Sequence, residues 1–160
     1  MAVAVFQTSD VIGNVVFTSE SRGVRVRADF TKLPPGLHGF HIHKAGDLRG
    51  NGCKGACDHW SLKPAAHGGA PGHGGERHTG DLGNIEGPAC NRSYFLSGVA
   101  LSDLYGRSMI VHADPDDLGR GSAPDSKTTG NSGARIACAV IGRVECHSSA
   151  ARSRTRRKHR

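Results

Sequence analysis

The sequence predicts an all-β protein of about eight short strands, folded as a Greek-key barrel or sandwich with two long functional loops. Three observations point there. No helical hydrophobic period is sustained over three turns anywhere in the 160 residues. Short alternating runs recur between turn-forming residues, with 23 glycines and only 5% aromatic residues. Two stretches, residues 44–80 and 113–134, lose all periodicity. A chain of this length is most simply one domain that buries its own core. We expect that domain over residues 1–146 and a basic tail over residues 147–160.

Residues 2–7 and 11–18 read as two strands separated by the polar turn Thr8-Ser9-Asp10. In residues 24–30, Val24, Val26, Ala28 and Phe30 alternate with Arg25, Arg27 and Asp29, giving one buried and one wet face. Leu33-Pro34-Pro35-Gly36 is a stiff turn into the next strand, residues 36–43. There Phe40 and Ile42 point to the core, and His41 and His43 project together from the opposite, outward face. Strand character resumes at residues 81–85, 93–101, 108–112 and 135–144.

The net charge of +7 belongs largely to the tail. Residues 152–160 hold six of the 21 Lys and Arg and no acid, leaving 15 bases against 14 acids elsewhere. Such a tail is a solvated segment able to contact polyanions. Without interleaved aromatics or a folded basic face, the body is not a nucleic-acid-binding domain. No apolar run approaches the ~20 residues of a membrane span. Residues 1–10 lack a positive region and a long apolar segment, so the expected compartment is cytoplasmic. The triplet Asn91-Arg92-Ser93 would then be an inert glycosylation motif. Five cysteines leave at least one thiol unpaired, and a cytosolic setting argues against disulfides.

Ten histidines in one short chain, most of them clustered, suggest metal. His41 and His43 lie roughly 6–7 Å apart at their Cα atoms, close enough to share an ion. His59, His67, His78 and Asp81 fall within 23 residues of one loop, and three imidazoles with a carboxylate suit zinc. His41, His43 and His112 form an all-nitrogen group of the kind that favours copper(II). A loop of over thirty residues has little else to hold it, so metal binding and folding should be coupled there.

Four segments, in order, carry a resemblance to a known family. They are Gly36-Leu37-His38-Gly39-Phe40-His41-Ile42-His43; Glu76-Arg77-His78-Thr79-Gly80-Asp81-Leu82-Gly83-Asn84; Val111-His112 with Asp116-Asp117-Leu118-Gly119; and Gly133-Ala134-Arg135-Ile136-Ala137-Cys138. The chain resembles a copper/zinc superoxide dismutase over about residues 3–144. The resemblance implies an immunoglobulin-like Greek-key fold and a reaction that turns two superoxide anions and two protons into dioxygen and hydrogen peroxide. It implies one copper on His41, His43, His59 and His112, and one zinc on His59, His67, His78 and Asp81. His59 would bridge both and, with Arg135, serve catalysis. Arg135 would capture the anion, and Asp116 would join His41 to His67 by hydrogen bonds. His38 would be structural; His73, His147 and His159 match no ligand. Arg120 and Lys127 would steer the anion, and Asp125 would shape the field.

The resemblance also pairs Cys53 with Cys138, with Cys57 as a competing partner for Cys53. Closing that loop adds on the order of 4 kcal/mol in a chain-entropy view. A homodimer is expected, although Ala45, Tyr105 and Arg143 stand where the family usually packs bulky apolar residues. Two other readings remain: a non-catalytic metal-binding domain, and a form tethered to polyanions by its tail.

Overall fold

The structure, a computed structural model, describes residues 1–144. The boundary at residue 146, the basic tail, Cys146, His147 and His159 lie outside the described residues. Among the described residues nine strands form two antiparallel sheets: β1 (Ala2–Gln7), β2 (Ile12–Glu20), β3 (Gly23–Lys32), β4 (Gly36–His43), β5 (Asp81–Gly87), β6 (Cys90–Ser97), β7 (Ser108–His112), β8 (Arg135–Val140) and β9 (Gly142–Arg143). Their order is β6-β3-β2-β1-β9 in one sheet and β5-β4-β7-β8 in the other. The pairs β3–β6 and β4–β7 join strands far apart in sequence, and these crossings make the Greek key.

Alternation explains the core. Val24, Val26, Ala28 and Phe30 of β3 are buried, while the charged side chains between them face water or its margin. Phe6 and Phe30 meet at 5.4 Å between ring centroids, Phe30 and Phe40 at 5.6 Å, and Phe40 and Tyr94 at 6.4 Å. This aromatic row ties the two sheets together; each buried Phe contributes about 1.5–3 kcal/mol.

Beyond small shifts at the ends of β2, β3 and β5, three features differ from expectation. β6 starts earlier than the expected residues 93–101 because its ladder with β3 runs on to Cys90 opposite Phe30, and it ends earlier because Gly98 turns left-handed (φ 73°) and closes a turn on Arg22. The expected last strand, residues 135–144, is two: at Ile141 the chain bonds Gly106 and Arg107, then crosses to pair with β1. A one-turn helix, α1 (Ser126–Thr129), interrupts the second loop.

The main correction concerns the histidine face of β4. It does not look outward: His41 is 0% exposed and His43 1%. The first loop folds back over that strand. Ile42 donates its N–H to Gly80 O (2.9 Å), Trp60 donates to Ile42 O (2.8 Å), and Lys44 donates to Asp58 O (2.9 Å). The Arg107 guanidinium lies 4.8 Å from the Trp60 ring and clamps the far side. Cys53 and Cys138 are disulfide-bonded, fastening the same loop to β8. Strand β4 is thus buried on both faces, one apolar and one lined with imidazoles.

Candidate metal centre

Two bulges aim the ligand-type residues. The β4–β5 register shifts between Gly39 and His41, and the β7–β8 register shifts between Val111 and His112. Each shift falls beside a histidine and turns it toward the loops, a common use of bulges near active sites. His59 arrives opposite His43 through an isolated β-bridge.

The result is a nest of imidazoles. His41 and His59 rings stand 4.0 Å apart, His43 and His59 4.8 Å, His41 and His112 4.8 Å, and His59 and His67 5.0 Å. Ring atoms of His41, His43, His59 and His112 all lie within 4.8 Å of one another, and so do donor atoms of His41, His59, His67 and Asp81. His78 is absent from the second set but touches its carboxylate, with Nδ1 3.2 Å from Asp81 Oδ1.

Each ring is held by one nitrogen, and the other is left over. His41 Nε2 donates to Asp116 Oδ2 (2.6 Å), and His67 Nε2 donates to Asp116 Oδ1 (2.8 Å). His43 Nδ1 donates to the Cys57 carbonyl (2.8 Å), and His112 Nδ1 to that of Gly133 (3.2 Å). His59 Nδ1 lies 2.8 Å from Asp81 Oδ1. The nitrogens without hydrogen-bond partners are His41 Nδ1, His43 Nε2, His59 Nε2, His67 Nδ1 and His112 Nε2, all buried. His67 Nδ1 has only an ion-pair contact, 3.1 Å from Asp81 Oδ1. Buried polar atoms normally find partners, so five such atoms in one nest fit bound cations.

Electrostatics leave His41, His43, His59 and His112 as ligand-ready rings and hold a second proton on His67. Burial lowers the affinity of His41, His43 and His59 for protons, and neighbouring imidazoles add repulsion. Burial takes His112 down to about 4, with the Gly133 carbonyl opposing. At His67 burial is outweighed by Asp116 and Asp81, which push it up to about 9. Burial opposes ionisation of Asp81, yet hydrogen bonds from His59 and His78 and the ion-pair contact with His67 hold it well below the usual carboxylate range.

Asp116 is itself fixed. Its backbone N–H donates to Asn84 Oδ1 (2.7 Å), its carbonyl accepts from Asn84 Nδ2 (2.9 Å), and Leu118 N–H donates to its Oδ1 (2.7 Å). Gly130 packs so closely that a Cβ there would strike Asp116 Oδ1 and His67 Nε2. Arg135 donates from Nη1 to Cys53 O (2.8 Å) and from Nη2 to Cys57 O (2.7 Å), and its charge lowers the proton affinity of His43 and His112. His38 lies between two carbonyls, those of His112 and Pro34, at 2.9 Å from each. His73 is exposed.

A cavity of about 630 Å³ opens beside His59 and His78, lined by Lys44, Lys63, Lys127, Thr128 and Thr129 among others. Of the cations expected to steer an anion, Lys127 is there. Arg120 lines a smaller cavity with Glu76, and Asp125 serves the α1 turn, where its carbonyl accepts from Thr128 and Thr129.

The family model described as copper/zinc superoxide dismutase (SODC) matches residues 11–141. The chain belongs to the copper/zinc superoxide dismutase family. It is 50% identical over 125 residues to an extracellular superoxide dismutase (Cu-Zn) of Haemonchus contortus, covering 74% of this chain and 67% of that protein. It is 42% identical over 143 residues to an extracellular superoxide dismutase (Cu-Zn) of Caenorhabditis elegans, covering 86% and 63%. A superoxide dismutase (Cu-Zn) of Paramecium bursaria Chlorella virus 1 is 44% identical over 148 residues, covering 88% and 77%. The chain thus spans about two thirds of the length of the two extracellular relatives. Copper and zinc are the metals that the family and the two donor groups fit. The cytoplasmic expectation is corrected: it rested on residues 1–10, while two of these relatives are extracellular.

Sequence reading missed the part played by Cys57. Its carbonyl holds both His43 and Arg135, and it does so at φ 63° and ψ −150°, a region that is essentially glycine's. Its thiol is free and exposed. The only signal available was its place two residues before His59.

Two predictions follow from this geometry. Substituting Cys57→Gly relieves the positive φ, and it should raise the stability of the metal-loaded protein by about 1 kcal/mol; a lowered thermal midpoint would contradict this. In chelated, metal-free protein, the lowered histidines bind protons only after unfolding, so stability rises with pH between the folded and unfolded values. For His112 that window runs from about 4 to 6.5, on the order of 3 kcal/mol. His67, shifted the other way, contributes fully below 6.5 and loses its contribution as pH rises through about 9. Urea midpoints should therefore fall steadily on acidification from pH 6.5 to 4, and a flat profile would count against neutral buried rings.

Proposed function

We propose that this chain dismutates superoxide, with copper on His41, His43, His59 and His112 and zinc on His59, His67, His78 and Asp81. The observation that carries the reading is the set of five unpartnered, buried imidazole nitrogens around His59. Copper, when bound, would supply the one-electron chemistry that takes an electron from one superoxide and returns it to another, giving dioxygen and, with two protons, hydrogen peroxide. Zinc supplies charge and ties the loop that carries His67 and His78.

The chain's own residues do the rest. Arg135, anchored by two carbonyls, presents fixed positive charge beside His43 and His112 and orients the anion. Lys44, Lys63 and Lys127 raise the local anion concentration at the cavity. Asp116 holds the His41 and His67 rings by their Nε2 atoms and so directs both Nδ1 atoms to metal. His59 turns Nδ1 toward Asp81 and keeps Nε2 without a partner, and in this reading Nε2 is the atom that holds and hands over a proton.

The same reading includes a secreted chain, supported by the extracellular relatives. It includes a homodimer packed near Ala45, Tyr105 and Arg143, where the Arg143 guanidinium covers the Tyr105 ring at 4.5 Å. It also includes polyanion contact through the basic tail, a segment outside the described residues. A purely metal-storing role has less support, because Arg135 and a cationic cavity have no part in storage.

Substituting Arg135→Ile should lower superoxide turnover at least tenfold, about 1.4 kcal/mol, with copper and zinc contents unchanged. Added salt should slow the parent protein more than the variant. Metal loss in the variant, or equal salt dependence, would contradict this role.

A further inference from the structure

We propose that Asn91 is the acceptor of an N-linked glycan, an inference that rests on the secreted reading above. Asn91-Arg92-Ser93 is an acceptor triplet with no proline at its centre. In a chain that stays in the cytosol it carries nothing; in a secreted chain its location in the fold decides.

That location is favourable on three independent counts. First, orientation: Tyr94 and Leu96 of β6 are buried, so the alternating residues Asn91, Ser93, Phe95 and Ser97 face away from the core. Phe95 marks this outer face, with the Arg25 guanidinium 5.1 Å from its ring. Second, access: Asn91, Arg92 and Ser93 are all exposed, and Asn91 pairs across the sheet with Asp29, also exposed. Among the described residues, neither the Asn91 amide nor the Ser93 hydroxyl makes a side-chain hydrogen bond, so modification breaks no native contact. Third, position: β6 is the edge of the five-stranded sheet, which supplies no metal-ligand candidate. A glycan there covers an unpaired strand edge, where chains are most prone to pair with one another, and leaves the metal centre open.

The donor is a lipid-diphosphate-linked oligosaccharide. A bond forms between Asn91 Nδ2 and the anomeric carbon of the first sugar. The bond from that carbon to the diphosphate oxygen breaks, the lipid diphosphate departs with the electron pair, and the amide loses one proton.

The test is expression of the full chain behind a secretory leader in eukaryotic cells, followed by peptide mapping with and without peptide N-glycosidase. The expected result is a glycan on the Asn91 peptide, a mobility shift reversed by the glycosidase, and loss of that shift in both Asn91→Gln and Ser93→Ala. Ser93→Thr should retain it, and Asn91→Gln should keep its superoxide turnover within twofold of the parent. Protein recovered from the medium with Asn91 unmodified would overturn the proposal, as would a shift that survives Ser93→Ala. Fractionation of source cells separately tests the secreted reading, so recovery in the cytosol overturns that reading without touching the leader-driven result at Asn91.

Discussion

One carboxylate organises the centre. Asp116 is fully enclosed and accepts a hydrogen bond from His41 on strand β4 and another from His67 on the first loop. A neutral imidazole has a single N–H, so committing His41 Nε2 to Asp116 leaves its Nδ1 a bare lone pair; His67, held by the same carboxylate, reaches that state once a cation displaces its second proton. The two donor groups therefore share one cause for their orientation. Asp116 in turn depends on Asn84, Leu118 and the tight approach of Gly130, which bring β5 and both halves of the second loop to one point. Moving any of these elements moves both rings.

The same arrangement explains why so polar a region can be buried. The inner face of β4 packs against phenylalanines, and the other face carries histidines under two loops that have almost no regular structure. Those loops are held by the Cys53–Cys138 bond, by backbone bonds from Trp60 and Gly80, and by the Arg77 guanidinium, which binds the carbonyls of Gly69, Thr79 and Asp81. What remains unsatisfied is a set of imidazole nitrogens, which metal ions can satisfy at once. Folding of the loops and occupation of the centre are thus parts of one equilibrium.

Much of this was legible in the sequence, because periodicity and ligand chemistry are local signals. β1, β4 and β7 fall where alternation and the His-x-His run place them. The family's segments name residues that the fold does bring together. The outward reading of His41 and His43 failed because alternation distinguishes two faces of a strand but cannot show that a distant loop covers one. Cys57 escaped because its contribution is a backbone carbonyl in a left-handed conformation, which no side-chain pattern reports. The split between β8 and β9 turns on tertiary bonds from Ile141 to Gly106 and Arg107. Cellular location was read from ten residues, which say nothing of the compartment named for two of the relatives.

The claim that Asp116 orients both metal groups is tested most directly by measuring copper and zinc affinities of Asp116→Asn. An amide keeps one acceptor oxygen and sets an NH2 donor where the second carboxylate oxygen stood, against a ring N–H, and it carries no charge. The account predicts that both metals bind about 10–100-fold more weakly, with secondary structure and the Cys53–Cys138 bond intact. Unchanged affinity for both metals would show that the rings are oriented by something else and would contradict the account.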